Sequence, residues 1–320
     1  MRVLTAAAAL LAGLLSCTAV QAQTYPNKTV KIIVPYQAGQ GTDVATRYFA
    51  DQLTKALGQT FYVDNKPGAG GNIGTEAAAH SPADGYTLLM GTNGTQTMNE
   101  FLYAAPGFDP GKDFTPIMLV GLLPMVVAAN PSFPANSVAE LVAAAKAKPD
   151  KIDVALPSTT ARLVFELLKE RTGAPLFGVP YKGSATAITE VMGGQVQTMV
   201  DTVTALRGHV TSGKLKALGI TTLKPSELLA GVKPVAEQGV PGFETTGWVA
   251  LYAPRGTPEP IIAALSKELT RILIEPETRQ RLLQIGLDPV GGTPASLAEF
   301  EKRERAKWGP VIKAAGLKGE

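Results

Sequence analysis

The sequence predicts an α/β fold in two lobes, with a mainly parallel sheet in each. Apolar, β-branched runs alternate with helical patterns along most of the chain, the signature of βαβ units. About 300 residues remain beyond an N-terminal leader, which suggests two domains rather than one. Val34-Pro35-Tyr36 and Val179-Pro180-Tyr181 each end a strand before a small-residue loop, so two lobes would set matching loops across a cleft. A three-residue echo also arises by chance, and it carries less weight than the other two observations.

The chain opens with Met1 and Arg2, an apolar run over 4–15, and Val20-Gln21-Ala22. That order of charged, apolar and small-residue regions predicts a signal peptide over 1–22, cut after Ala22. The run falls short of the roughly 20 apolar residues that a permanent span needs. A buried N-terminal helix is the plain alternative. Leu14-Leu15-Ser16-Cys17 also resembles a lipobox. Leu15 fits that pattern poorly and Val20-Gln21-Ala22 downstream is a good small-residue cleavage site, so the expected product is released after export. A lipid tether at Cys17 is the alternative.

Past the leader, 30–35 reads as the first strand. A glycine-bearing loop follows, then a helix over 42–57 with Val44, Phe49 and Leu53 on one stripe. Strands follow at 60–64, 86–90, 124–129 and 153–156. Helices are expected at 137–146 and 160–171, and further strands at 198–200, 215–221 and 248–253. The C-terminal part is helical over 258–274, 276–285 and 294–315. No sequence repeat or low-complexity tract interrupts this order.

Composition excludes several classes of function. The formal charge is +3, and Lys and Arg are scattered. The densest run, Glu301-Lys302-Arg303-Glu304-Arg305, is interleaved with acids and reads as a solvated helix face. Nucleic acid is therefore not an expected partner. Cys17 is the sole cysteine and leaves with the leader, which removes disulfides and thiol chemistry. His80 and His209 are the two histidines, so no metal site is expected. Each reads as a surface or capping residue. Gly39-x-Gly41 would need a glycine at position 44 to make a dinucleotide fingerprint, and that position is Val44. The chain lacks a P-loop and a Gly-x-Ser-x-Gly elbow, and a Ser-His-Asp triad would have to recruit one of the two histidines. No cofactor and no catalytic residues are expected. A secreted hydrolase is kept only as a lesser alternative.

The glycine-rich loops carry the positive signal. Ala38-Gly39-Gln40-Gly41-Thr42-Asp43 joins a strand to a helix, with Thr42 placed to cap. Glycine lets the backbone approach a ligand, and the first N–H groups of a helix lack intrahelical partners, so such a terminus accepts anions. Gly91-Thr92-Asn93-Gly94-Thr95 repeats the arrangement after another strand. Open α/β sheets bind ligands at the carboxyl ends of their parallel strands. Either loop alone reads as ordinary turn chemistry. Together they point to one small anionic or polar ligand.

At this level of detail the chain resembles the substrate-binding proteins of tripartite tricarboxylate transporters, the Bug-type receptors. Tyr25-Pro26, the strand–loop–helix over 30–43, Pro67-Gly68-Ala69-Gly70-Gly71-Asn72-Ile73-Gly74 and Asp84-Gly85-Tyr86-Thr87 are similar to the family's first half. Val179-Pro180-Tyr181-Lys182-Gly183, Gly193-Gly194-Gln195-Val196, Ser212-Gly213-Lys214-Leu215-Lys216-Ala217-Leu218 and the 308–316 segment complete the pattern. Each motif is weak, but their order and spacing are specific.

The resemblance implies a Venus-flytrap periplasmic binding protein. Its lobes would be joined by hinge strands crossing near 121–129 and returning near 247–253. Lobe one would then be 24–123 plus 250–320, and lobe two 124–249. It further implies an extracytoplasmic receptor that captures a small carboxylate and delivers it to membrane transporter subunits; a monomer is the default expectation. A ligand-sensing receptor for a signalling system stays open beside it. By the same resemblance, Tyr36, Gly39, Gly41, Thr42 and Asp43 line the first loop, and Thr92, Asn93, Gly94 and Thr95 the second. Tyr181, Lys182, Gly183, Ser184 and Asp201 face the cleft from lobe two. Bracing the loop or capping the helix is the commoner fate of an Asp at position 43, and both tyrosines are equally suited to core packing.

Two departures from the family pattern stand out. Gln40 replaces a small residue, and its amide faces either the ligand or solvent. Leu156-Pro157-Ser158-Thr159 and Arg162 replace a glycine-bearing loop and a histidine. Ser158 and Thr159 join the candidate site there. Arg162 is either a charged donor to a second carboxylate or a solvated residue of a helix's first turn.

Overall fold

The computed structural model describes residues 25–314 and 316–319. The expected signal peptide, its cleavage site and Cys17 lie outside the described residues. In the first lobe, β1 (Val30–Val34) runs parallel between β2 (Phe61–Asn65) and β3 (Thr87–Thr92). Val30, Ile32, Ile33 and Val34 are all buried. Burial at consecutive positions, Ile32 to Val34, belongs to strands covered on both faces. α1 (Gly41–Leu57) lays Ala45, Phe49, Ala50 and Leu53 on this sheet, while Val44, expected on the stripe, is half-buried. Gly58 ends the helix in the left-handed conformation, returning its N–H to the Thr54 carbonyl at 3.0 Å.

In the second lobe, β5 (Asp153–Leu156) runs parallel between β6 (Phe177–Pro180) and β7 (Thr198–Thr202). Each lobe thus has a three-stranded parallel part, in the spatial orders β2-β1-β3 and β6-β5-β7. Antiparallel strands join the two. β4 (Phe114–Ala129) spans 16 residues. Its first part pairs with β9 (Thr246–Pro254) and β10 (Asp288–Pro289), and its last five residues with β7 and β8 (Lys216–Ile220). β9 returns to pair with β3. The expected strand at 124–129 is therefore the second part of a longer one. Pro124 reads as a boundary because a central strand seldom holds proline. Here it sits where the strand passes from one sheet to the other, and Thr221 completes the ladder at the next residue. Thr221 accepts the Met125 N–H on its hydroxyl at 3.0 Å and donates its own N–H to the Met125 carbonyl at 2.9 Å.

The order of strands also corrects the Val-Pro-Tyr echo. β1 is the middle strand of its parallel part and β6 is an edge, so the counterpart of β1 is β5. The two loops nevertheless face one another, because Gln37 packs on Gly183 across the lobes.

Helices cover the sheets. In the first lobe these are α2 (Asn72–Ala79), the short α3 (Asn99–Leu102) after a wide turn over Gly94–Met98, and α8 (Glu259–Ile274) with α9 (Pro276–Gln284). The second lobe carries α4 (Val138–Ala147), α5 (Thr159–Thr172), α6 (Ser184–Met192) and α7 (Val203–Thr211). α10 (Pro294–Ala314) serves both lobes. Leu297 and Phe300 pack with Trp248 and Tyr252, whereas Trp308 and Ile312 share an apolar cluster with Leu163 and Leu167. The charge run on α10 is not simply solvated. Glu301 is buried and accepts the Tyr252 hydroxyl, and Glu304 accepts the indole N–H groups of Trp248 and Trp308 at 3.2 and 3.1 Å. Lys302 and Arg303 remain exposed. Buried tyrosine and tryptophan need partners for their polar tips, which the alternating acids supply. No helix among the described residues is long and apolar enough to cross a membrane.

Candidate functional site

The β1–α1 loop turns through Gly39 at φ +85. Gln40, not Thr42, occupies the cap position, with extended backbone and no side-chain cap bond; Thr42 lies buried inside the first turn. The reason is visible in the Gln40 side chain, which is used elsewhere. Its carbonyl accepts the Gln37 N–H at 3.0 Å and its amide donates to the Pro157 carbonyl of the second lobe at 3.2 Å. The N–H groups of Gly41 and Thr42 belong to the first turn and have no intrahelical acceptor.

Asp43 braces this loop. Its carboxylate accepts the Gly39 N–H at 2.9 Å, Arg47 Nε at 3.0 Å and Asn65 Nδ2 at 2.9 Å, and pairs with Arg47 Nη2 at 2.9 Å. Burial alone would raise its pKa, but the bonds from Arg47, Gly39 and Asn65 outweigh that and hold it below the usual range. Those contacts occupy both carboxylate oxygens.

The loop after β3 is a run of buried polar residues from Thr92 to Thr97. Its bonds are largely internal: Thr92 N–H to Thr95 Oγ1 at 3.1 Å, and Thr97 Oγ1 to the Asn93 carbonyl at 2.8 Å. Tyr36 joins the two loops, its hydroxyl 2.9 Å from Thr92 Oγ1. Burial, partly offset by that bond, pushes the phenol up to about 12. Gly94 permits this approach, since a Cβ there would lie 2.9 Å from the Tyr36 hydroxyl.

The second lobe answers with three segments. Ser158 caps α5, accepting the Ala161 N–H at 3.1 Å. Thr160 donates its hydroxyl to Asn93 Oδ1 at 3.1 Å, a second bond between the lobes. Thr159 packs against Gly70, where a Cβ would lie 3.1 Å from its hydroxyl. Tyr181 gives its hydroxyl to Glu190 on α6; burial, then Glu190, push the phenol up to about 12. Lys182 is exposed and Gly183 lies under Gln37. At the end of β7, Asp201 accepts the Thr202 N–H on Oδ1 at 2.7 Å. Asp201 Oδ2 and the neighbouring Ser184 Oγ are buried with no hydrogen-bond partner among the described residues.

These segments enclose two spaces. A cavity of about 30 Å³ is lined by Tyr36, Gln40, Gly41, Thr42, Thr92 and Asn93 on one side, and by Ser158, Thr160, Asp201 and Thr202 on the other. Leu123, Met125, Gly247 and Trp248 form its floor. It has room for a water molecule or two. Tyr36 and Ser158 also border a cleft of about 880 Å³. That cleft carries Arg162, Lys169 and Lys182 beside Asp150 and Glu166, with apolar walls from Leu102, Leu163, Phe165 and Ile312. Arg162 therefore lies on the cleft wall, not in the small cavity, and its guanidinium donates to the Lys318 carbonyl at 2.6 Å.

Gly39, Asp43, Gly94, Thr95, Gly183 and Ser184 shape their segments without lining either space. Several lining residues escaped sequence reasoning. Thr202 and Thr160 each sit one or two places from a named residue, and Thr202 presses so closely on Gly41 that a Cβ there would lie 2.6 Å from its hydroxyl. Trp248 and the C-terminal segment 316–319 reach the site only through the tertiary fold. Among the described residues no three metal-ligating side chains come together.

Two α/β lobes on crossing strands, closed over a polar cavity at the carboxyl ends of their parallel strands, define a Venus-flytrap solute-binding protein. The model of the tripartite tricarboxylate transporter family receptor matches residues 45–317. The chain belongs to that family. It is 35% identical to the protein BugT of Bordetella pertussis over 302 residues, 93% of each chain. Its fold is similar to that of Rpa4515 from R. palustris with adipate, with a TM-score of 0.89, 35% identity, and coverage of 92% of this chain and 99% of that one. It is likewise similar to MatC from Rhodopseudomonas palustris with bound malate, with a TM-score of 0.84, 31% identity, and coverage of 90% and 100%.

Proposed function

We propose that this chain is an extracytoplasmic receptor that captures a small carboxylate between its lobes and delivers it to the membrane subunits of a tripartite tricarboxylate-type transporter. The observation that carries the reading is the small cavity. One wall is the first turn of α1 with the hydroxyls of Tyr36 and Thr92, the other holds Ser158 and Thr160, and no Lys, Arg or His among the described residues lines it. A carboxylate would be held there by N–H groups and hydroxyls, as helix termini hold anions. The adipate and malate bound by the two relatives support an aliphatic diacid as ligand. Its second carboxylate would extend toward the larger cleft, where Arg162 and Lys182 supply positive charge.

The moving bodies of this reading are 24–123 plus 250–320 and 124–249, swinging about the crossings of β4 and β9. The bonds from Gln40 to Pro157 and from Thr160 to Asn93 belong to the closed state. Export through a signal peptide over 1–22, action as a monomer and the absence of turnover complete the proposal.

Thermal-shift screening against adipate, malate, citrate, glutamate and benzoate, followed by calorimetry on each hit, tests it. A ligand at 100 times its Kd stabilises the folded state by about 2.7 kcal/mol, which moves the midpoint by about 5 °C or more in a chain this long. A folded, ligand-free protein that responds to none of these acids would defeat the carboxylate assignment.

A further inference from the structure

Asp201 is the one acidic side chain lining the small cavity among the described residues, and it sits where a ligand's carboxylate is to be held. The residue is 2% exposed. Oδ1 is taken by the Thr202 N–H, while Oδ2 makes no hydrogen bond of good geometry among the described residues, and Ser184 Oγ beside it is close enough to act on it. A buried carboxylate normally uses all its lone pairs, so Asp201, which lines the cavity and makes one well-formed hydrogen bond, has capacity for a further one. The cavity wall opposite is the first turn of α1.

Charge makes the arrangement unfavourable unless a proton is added. Two carboxylates sharing one dry site cannot both stay ionised. Charged residues around Asp201 are engaged elsewhere. On α1, Asp43 and Arg47 bind one another; on α6, Glu190 takes the Tyr181 hydroxyl; on α7, Arg207 donates to the Leu283 carbonyl. On α5, Arg162 bonds to Lys318, and Glu166 and Lys169 border the larger cleft. His209 sits in the last turn of α7, Asp153 opens β5, and the paired part of β4, Met125–Ala129, has no titratable group. Burial therefore pushes the Asp201 carboxyl up to about 6, with Ser184 and Thr202 pulling it back only in part and no charged neighbour contributing.

We propose that Asp201 takes a proton from solvent as the acid binds, so that its carboxyl donates a hydrogen bond to the ligand's carboxylate and the receptor gains one proton with each ligand. An O–H donor to an ionised oxygen is among the stronger hydrogen bonds. The same proton leaves with the ligand when the lobes open. This inference rests on the carboxylate-receptor reading and deepens it, because it makes capture and release depend on pH.

Calorimetry with adipate and malate tests it, in phosphate and in Tris at pH 7.5, then across pH 7 to 8. Both acids are fully ionised in this range, so any proton taken up is the protein's. The expected result for wild type is a binding enthalpy that differs between the buffers by close to one proton per ligand. Its Kd should rise about tenfold per pH unit. Asp201→Asn should bind with a Kd independent of pH and an enthalpy independent of buffer. Buffer-independent enthalpy in wild type, or equal uptake in Asp201→Asn, overturns the inference while leaving the receptor intact. Affinity that rises with pH also overturns it, since an ionised Asp201 would then be accepting from a ligand donor. Failure of both acids to bind either protein removes the receptor reading and this inference with it.

Discussion

Gln40 of the first lobe donates its side-chain amide to the carbonyl of Pro157 in the second, 3.2 Å away. The two residues stand where this chain departs from the family pattern that it otherwise resembles. Gln40 is buried and also accepts the Gln37 N–H, so it ties the β1–α1 loop to the α5 loop. Removing its side chain leaves the buried Pro157 carbonyl and the half-buried Gln37 N–H unpaired, at about 1–3 kcal/mol. Gln40→Ala is expected to weaken ligand binding about tenfold, with most of the change in the dissociation rate. Small-angle scattering of the ligand-free variant should give a larger radius of gyration than wild type. Equal radii and equal dissociation rates would show that the bond does not hold the lobes together.

Asp43 makes a contrasting prediction, because it acts on one lobe alone. With its folded pKa depressed, it contributes stability that is present above its unfolded value of about 3.9 and lost as pH falls through the folded one. Asp43→Asn is expected to cost about 2 kcal/mol at pH 7. The difference from wild type should shrink below about pH 4. Urea unfolding at pH 7 and pH 3 checks this, and a gap that does not change with pH would mean that the ionised bonds contribute little.

The outcome at these two residues shows what the sequence could and could not reveal. The strands were legible because apolar β-branched runs such as 30–34 match a fixed period, and the anion-ready loops because glycine and threonine follow them directly. Asp43 had two readings, and a partner 22 residues away, Asn65, decided between them. Gln40 had two readings as well; its burial removes the solvent-facing one, and its amide reaches an acceptor on the other lobe while the residue lines the small cavity. Glu301 and Glu304 of α10 were misread as surface because Tyr252 and Trp248 meet them only after β9 has returned. Pro124 hid the length of β4, since proline there signals a strand's edge until both sheets are in view. Local chemistry carried the elements; contacts between lobes carried the site.

Asp201 has a signature that needs no ligand. Its folded pKa, about 6, lies above its unfolded value of about 3.9. The sign is therefore opposite to that of Asp43. Its contribution is fully present below the unfolded value and lost as pH rises through 6. Two units correspond to about 3 kcal/mol at most. Asp201→Asn should thus gain on wild type between pH 4 and pH 6.5 and hold a constant lead above that. Denaturant midpoints measured across this range test the point, and parallel curves would place the Asp201 carboxyl at an ordinary value.

Gly286 and Thr204 mark the far side of the crossing strands. The Thr204 hydroxyl donates to the Gly286 carbonyl at 2.9 Å, and Arg207 reaches the Leu283 carbonyl from the same helix. Gly286 has φ +85, and a Cβ there would lie 2.7 Å from the Thr204 nitrogen and 2.8 Å from its Cα. Both obstacles are backbone, so neither can swing aside. The contact lies beside β10, which pairs with β4 at Gly121 and Leu122, just ahead of the crossing. If the lobes turn about the β4 crossing as proposed, a tight backbone contact beside it would restrict the axis of that turn. Gly286→Ala is expected to cost about 1–2 kcal/mol for the left-handed conformation alone, with more from the clash, lowering Tm by about 5 °C. Forced apart at the pivot, the lobes should also close less completely, so ligand should protect the variant less than wild type. Thr204→Ala separates the two effects, since it removes one hydrogen bond and leaves the close approach intact. It should lose about 1 kcal/mol and keep the full ligand-induced shift. Equal ligand protection in Gly286→Ala and wild type would mean that closure does not turn on this contact.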